Sequence, residues 1–215
     1  RAITLFREAC TDIAWEIASM SAWWHLSALF FVGDLATLHR RLPASLTEAD
    51  TLGDHYMKTA LGVYTHPLSL TFAGRPDDAL ATIDRALGDW KARGFHSMHN
   101  MALYSRTNTL LYLGQGRRAL EHVLADWKPL EASYLLRSKA SRIRCHDARA
   151  RCVLATAGEG RSAEPALREV LDWADRLEKE RTPWSDGHAF ALRAAVQLRR
   201  GGPDKARALY RRAQA

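Results

Sequence analysis

The chain has 215 residues, 47% of them hydrophobic and 26% charged, with 7 Pro and 13 Gly, a foldable mix that excludes a disordered or collagen-like polypeptide. Its formal charge is +7, from 31 Lys and Arg against 24 Asp and Glu, but the arginines are scattered over most of the sequence, which reads as helix surface and speaks against nucleic acid as the partner. Three cysteines, Cys10, Cys145 and Cys152, are too few and too odd in number for a disulfide framework.

The sequence begins at Arg1 and stops at Arg211-Arg212-Ala213-Gln214-Ala215 inside a helical pattern, which points to a segment of a longer chain. The first predicted helix covers Thr11–Val32. Its stretch from Ile13 to Val32 is about as long as one bilayer span, but Glu16 and His25 interrupt it, so a buried core helix is expected and no membrane. Gly33 closes it. A second helix follows over Leu35–Leu52, with Leu38, Leu42 and Ser45 on one face and Pro43 inside. The third spans Gly53–Ala73 and contains Pro67; each of these prolines should kink or break its helix. Gly74-Arg75-Pro76-Asp77-Asp78 then ends one helix and starts another. The glycine can take the left-handed conformation, proline suits the first helical turn, and the acids favour the positive end of the dipole. That fourth helix, Pro76–Arg93, carries Ala79, Ile83 and Ala86 at spacings of four and three. Helices over Phe95–Leu113 and Arg117–Tyr134 come next, joined at Gly114. Leu136–Ala157 and Ser162–Glu180 flank Gly158, the latter helix with Ala163, Leu167 and Val170 on one face. Ser185–Arg199 and Pro203–Gln214 flank Gly201, the last helix with Ala206, Tyr210 and Ala213.

The closing glycines Gly33, Gly74, Gly114, Gly158 and Gly201 are spaced by 41, 40, 44 and 43 residues. Four positions before them stand Leu29, Leu70, Leu110, Leu154 and Gln197, an apolar column that fails only in the last unit. An Asp-Trp pair recurs at Asp89-Trp90, Asp126-Trp127 and Asp172-Trp173, where the aromatic is expected to seal the joint to the next unit. No sustained alternation of apolar and polar residues signals a strand. The expectation is an all-α chain, a single domain over 1–215 built as an α-solenoid of about five antiparallel helix pairs.

Gly-Arg-Pro-Asp-Asp-Ala-Leu-Ala-Thr-Ile-Asp-Arg-Ala-Leu at 74–87 resembles the second half of a tetratricopeptide repeat, although the period is longer than that family's 34 or so residues. Five further stretches, Phe6–Glu16, Phe31–Leu35, Trp90–His96, Leu135–Arg137 and Arg149–Arg151, resemble the C-terminal helical regions of large bacterial, notably myxobacterial, signalling proteins. Those proteins carry an N-terminal serine/threonine kinase domain and a central ATPase module. The resemblance implies a cytoplasmic, non-enzymatic interaction or sensor scaffold in a kinase parent, whose partner is a protein or peptide or a domain of its own chain. The alternative is the inducer-binding helical region of an ATPase-type transcription regulator. The segment itself has no Gly-rich loop, His-Arg-Asp or Asp-Phe-Gly.

Catalytic, metal and cofactor sites are not expected. Gly114-Gln115-Gly116 and Gly158-Glu159-Gly160 lack the Gly-Lys-Ser/Thr ending of a phosphate loop. Cys145 and Cys152 lie two helical turns apart, about 10.5 Å of rise, too far for one zinc, and His96 with His99 lacks a third ligand. Ten residues before each glycine stand Trp23, Tyr64, Tyr104, Ala148 and Ala191, which would face the concave side of a tetratricopeptide array. Trp23, Tyr64 and Tyr104, with Asn108, are therefore the candidate binding residues. His25, His66, Arg106 and Arg193, eight before the glycines, would be buried and in need of partners. Arg137, Arg144 and Arg151 recur every seven residues as a candidate basic stripe.

Overall fold

The computed structural model describes residues 2–11, 13, 16–17, 20, 26–90 and 94–214, and every regular element among them is helical. The helices fall into two compact units, Arg1–Arg93 and Gly94–Ala215. Part of the expected helix Thr11–Val32 lies outside the described residues, as do the candidates Trp23 and His25.

The first unit holds α1 (Ala2–Ala9), α2 (Ser27–Phe31), α3 (Leu35–Thr51), α4 (His55–Val63), α5 (Thr65–Phe72) and α6 (Pro76–Asp89). Local chemistry sets the ends. Gly33 and Gly53 turn left-handed, and Asp34 and Asp54 then accept the N–H groups of Thr37 and Met57 at 3.0 and 2.9 Å. Leu26, Leu38, Leu42, Ala49, Met57 and Leu61 form the core, with Leu29 and Phe30 half-buried against it. Pro43 does not break α3: it and His39, whose carbonyl it cannot bond, both lie on the exposed side, so the freed carbonyl is not buried. Pro67 does break its helix. It has no N–H for the Val63 carbonyl, and the backbone departs from helical geometry at Tyr64 (φ −129°, ψ −80°), so the expected Gly53–Ala73 becomes α4 and α5.

The second unit holds α7 (Ser97–Tyr112), α8 (Gly116–Ala132), a 3₁₀ turn (Leu135–Arg137), α9 (Lys139–Thr156), a second 3₁₀ turn (Gly160–Ala163), α10 (Glu164–Glu178), α11 (Pro183–Arg199) and α12 (Pro203–Gln214). Each helix packs against the one before it, and α9 also packs against α7 and α11. The helices α8 and α10 bury one face, through Ala119, Val123 and Trp127 and through Leu167, Val170 and Trp173. By contrast α7 and α9 are buried around most of their girth, and small polar residues such as Ser105, Thr107 and Thr109 make this close packing possible.

Gly74, Gly114 and Gly201 all have φ between 70° and 77°. In each case the N–H after the glycine donates to the residue four before it, Leu70, Leu110 and Gln197, at 2.9 Å, which is the double-bonded left-handed helix end. The expected column is thus a backbone acceptor as much as a packing position. Leu70 and Leu110 are buried, while Leu29 and Leu154 are only half-buried. Gly158 departs from the pattern. Helix α9 ends at Ala157 in an extended conformation, and the left-handed residue is Gly160.

Candidate functional site

Helices α7, α9 and α11 line a pocket of about 370 Å³ in the second unit. Tyr104 and Asn108 come from α7, Asp147 and Arg151 from α9, His188 from α11, and Tyr210 from α12. Asp147 lies one turn before Arg151 on α9, so the two side chains meet on one face, with Arg151 Nε donating to Asp147 at 2.8 Å. Arg151 Nη1 donates to Asn108 Oδ1 at 3.0 Å, tying α9 to α7. His188 Nδ1 stands 3.1 Å from the other Asp147 oxygen, tying α11 to α9. The carboxylate is 5% exposed and the arginine 32%. Burial alone would raise the Asp147 carboxyl, but the Arg151 charge and the bonds from His188 and Arg151 outweigh it and hold the group below its ordinary value. Arg151 Nη2 makes no hydrogen bond among the described residues. Leu154, Ala191, Leu192 and Ala195 make the remaining wall apolar. The arrangement offers a fixed donor beside an apolar slot.

Three of the expected site residues, Tyr104, Asn108 and Arg151, therefore come together. Tyr64 does not join them. It is 1% exposed and packed in the first unit, with the Phe30 ring 6.3 Å away, so it is a core residue and not a groove residue. The break before Pro67 makes position 64 a hinge between two helices, and counting back from Gly74 loses its register there. Arg137 sits in the 3₁₀ turn with its guanidinium 4.7 Å from the Tyr134 ring, while Arg144 donates to the Ala140 carbonyl at 3.3 Å. Only Arg144 and Arg151 share a helix, so the three-arginine stripe is not formed. Asp147 and His188 were not singled out from sequence. The Asp147–Arg151 spacing was visible there; the approach of His188 is purely tertiary.

The recurrent tryptophans build a joint. Trp127 of α8 and Trp173 of α10 meet edge to face at 5.5 Å, and Arg149 of α9 lies 4.5 and 4.9 Å from their rings. His146 stacks at 5.1 Å from Trp173, and burial, then the charge of Arg176, push its imidazole down to about 4. The expected buried polar column also finds uses: Arg193 pairs with Glu178 and with Asp175 of α10, and His66 is half-buried in the first unit. Cys145 donates to Asn100 at 3.1 Å, and burial pushes the Cys145 and Cys152 thiols up to about 12. Among the described residues no group of three His, Cys, Asp or Glu side chains is placed to hold a metal, and no helix is long and apolar enough to cross a membrane.

No protein-family model and no curated protein matches the chain.

Proposed function

We propose that this chain is a tetratricopeptide-like α-solenoid that binds a protein or peptide partner and performs no chemistry of its own. It would serve as the cytoplasmic interaction or sensor region of a bacterial serine/threonine kinase–ATPase signalling protein. The solenoid reading draws support from neighbour-to-neighbour helix packing and from the glycine-closed turns. The observation that carries the binding reading is the pocket on α7, α9 and α11, where Arg151 is pre-oriented by Asp147 and Asn108 beside an apolar slot. A fixed donor next to apolar wall suits the carbonyl and side chain of an extended peptide, because the ordering entropy of the receptor is already spent.

Selection of a random peptide library on the immobilised protein tests this. The expected result is a family of peptides that binds the natural sequence and binds Ala195→Trp, which fills the slot, at least tenfold more weakly, with helicity by circular dichroism unchanged. Peptides that bind both proteins alike would remove the pocket from the reading.

A further inference from the structure

The first unit contains a cavity of its own, about 440 Å³, bounded by α3, α4, α5 and α6. Its size falls in the range of small-molecule sites. Gly62 of α4 and Ala86 of α6 set its shape: a Cβ on Gly62 would stand 2.8 Å from the Ala86 Cβ, so these two helices touch backbone to methyl and the space opens beside that contact. Trp90, at the end of α6, supplies an aromatic wall, and its indole N–H is buried with no acceptor among the described residues. A buried indole N–H ordinarily finds one.

Charge at this cavity cancels. Lys58 and Asp50 pair at 2.6 Å, Asp89 adds to the field that holds Lys58 above its ordinary value, and Arg85 is the remaining cation on the lining. Two acids thus face two bases. His66 stays neutral near pH 7: burial, then the charges of Arg75, Arg85 and His39, keep its imidazole below the usual range. Thr82 of α6 makes no hydrogen bond among the described residues and is free to serve a ligand, whereas Thr59 spends its hydroxyl on the His55 carbonyl at 2.8 Å. An ionic ligand would find no uncompensated countercharge and would lose its hydration. An apolar one with a single acceptor would lose little.

We propose that this cavity is a second binding site, for an uncharged, mainly apolar small molecule carrying a hydrogen-bond acceptor. The site is independent of peptide binding in the second unit. Occupancy would tie α4, α5 and α6 together around the break at Tyr64 and so stabilise the first unit.

The probe is 6-propionyl-2-(dimethylamino)naphthalene, an uncharged aromatic ketone whose emission shifts to the blue in apolar surroundings, titrated into the full chain. Saturable binding with a blue shift is expected. Thr82→Phe, which fills the cavity, should weaken binding at least tenfold, and Ala195→Trp in the other unit should leave it unchanged. The similarly sized anion 1-anilinonaphthalene-8-sulfonate should bind at least tenfold more weakly. If Thr82→Phe does not fold, Thr82→Leu replaces it, with at least threefold weakening expected. The proposal is overturned by absent or unsaturable binding, by unchanged affinity in the folded Thr82 variant, by loss of binding in Ala195→Trp, or by equal binding of the sulfonate.

Discussion

His146 shows how one residue is made to depend on its neighbours. The ring sits half-buried against Trp173, with Arg142, Arg149 and Arg176 around it and only Glu180 pulling the other way, so its imidazole titrates near pH 4 instead of at 6.5. The sign follows from proton counting. Above pH 6.5 both folded and unfolded chains hold the ring neutral, and the group has no effect. Between 6.5 and about 4 the unfolded chain takes a proton that the folded chain refuses, so stability falls with falling pH across that window. His146→Phe keeps an aromatic between the tryptophans and cannot titrate. Urea melts from pH 7 to 4.5 should therefore give the variant a shallower loss of midpoint than the natural protein; identical slopes would mean that the ring takes up its proton at the same pH in the folded and unfolded chains.

At the scale of the element, what could be read in advance was whatever depends on a few neighbouring residues. The left-handed closures at Gly33, Gly74, Gly114 and Gly201 were legible because a helix end of this type is defined within six residues. The packing faces of α3, α6 and α10 were legible because one-sided burial leaves a period in the sequence. Helices α7 and α9 leave no such period, since they are covered on several sides, and the Asp147–His188 contact joins residues forty-one positions apart. Tyr64 was misplaced because a column counted from Gly74 assumes an unbroken helix, and Pro67 breaks it. The closures themselves can be weighed. A methyl on Gly74 meets nothing, so Gly74→Ala carries only the left-handed penalty of about 1–2 kcal/mol. Gly88, on the exposed side of α6 with right-handed geometry and open space, should respond the other way, Gly88→Ala adding about 0.5 kcal/mol. Thermal melts should thus move in opposite directions for two identical substitutions fourteen residues apart, by about 2–4 °C per kcal/mol for a chain of this size. A shift of the same sign in both would show that Gly74 does not close its helix this way.

At the scale of the molecule, several arginines of the second unit act as internal fastening. Arg142 makes a paired bond to Glu180 at 2.6 and 2.7 Å and also donates to the Leu136 and Arg137 carbonyls, joining the start of α9 to the end of α10. Arg193 holds α11 to Glu178 and Asp175, and Arg200 reaches Glu164 at the start of α10. The same chain of neighbours decides how the second unit comes apart. Helix α9 buries eight residues and is packed by α7, α8, α10 and α11, whereas α12 buries only Ala206 and is packed chiefly by α11. When stability is a sum of local contacts, opening begins at the helix that buries least. Hydrogen exchange followed by mass spectrometry should find the amides of Lys205–Arg212 exchanging at least tenfold faster than those of Ile143–Val153, and Arg207, whose guanidinium reaches the exposed Asp204, should not slow them. Equal protection of the two segments would mean that the second unit opens all at once, as an ordinary two-state domain with a shared core, and the neighbour-by-neighbour account of its stability would fail.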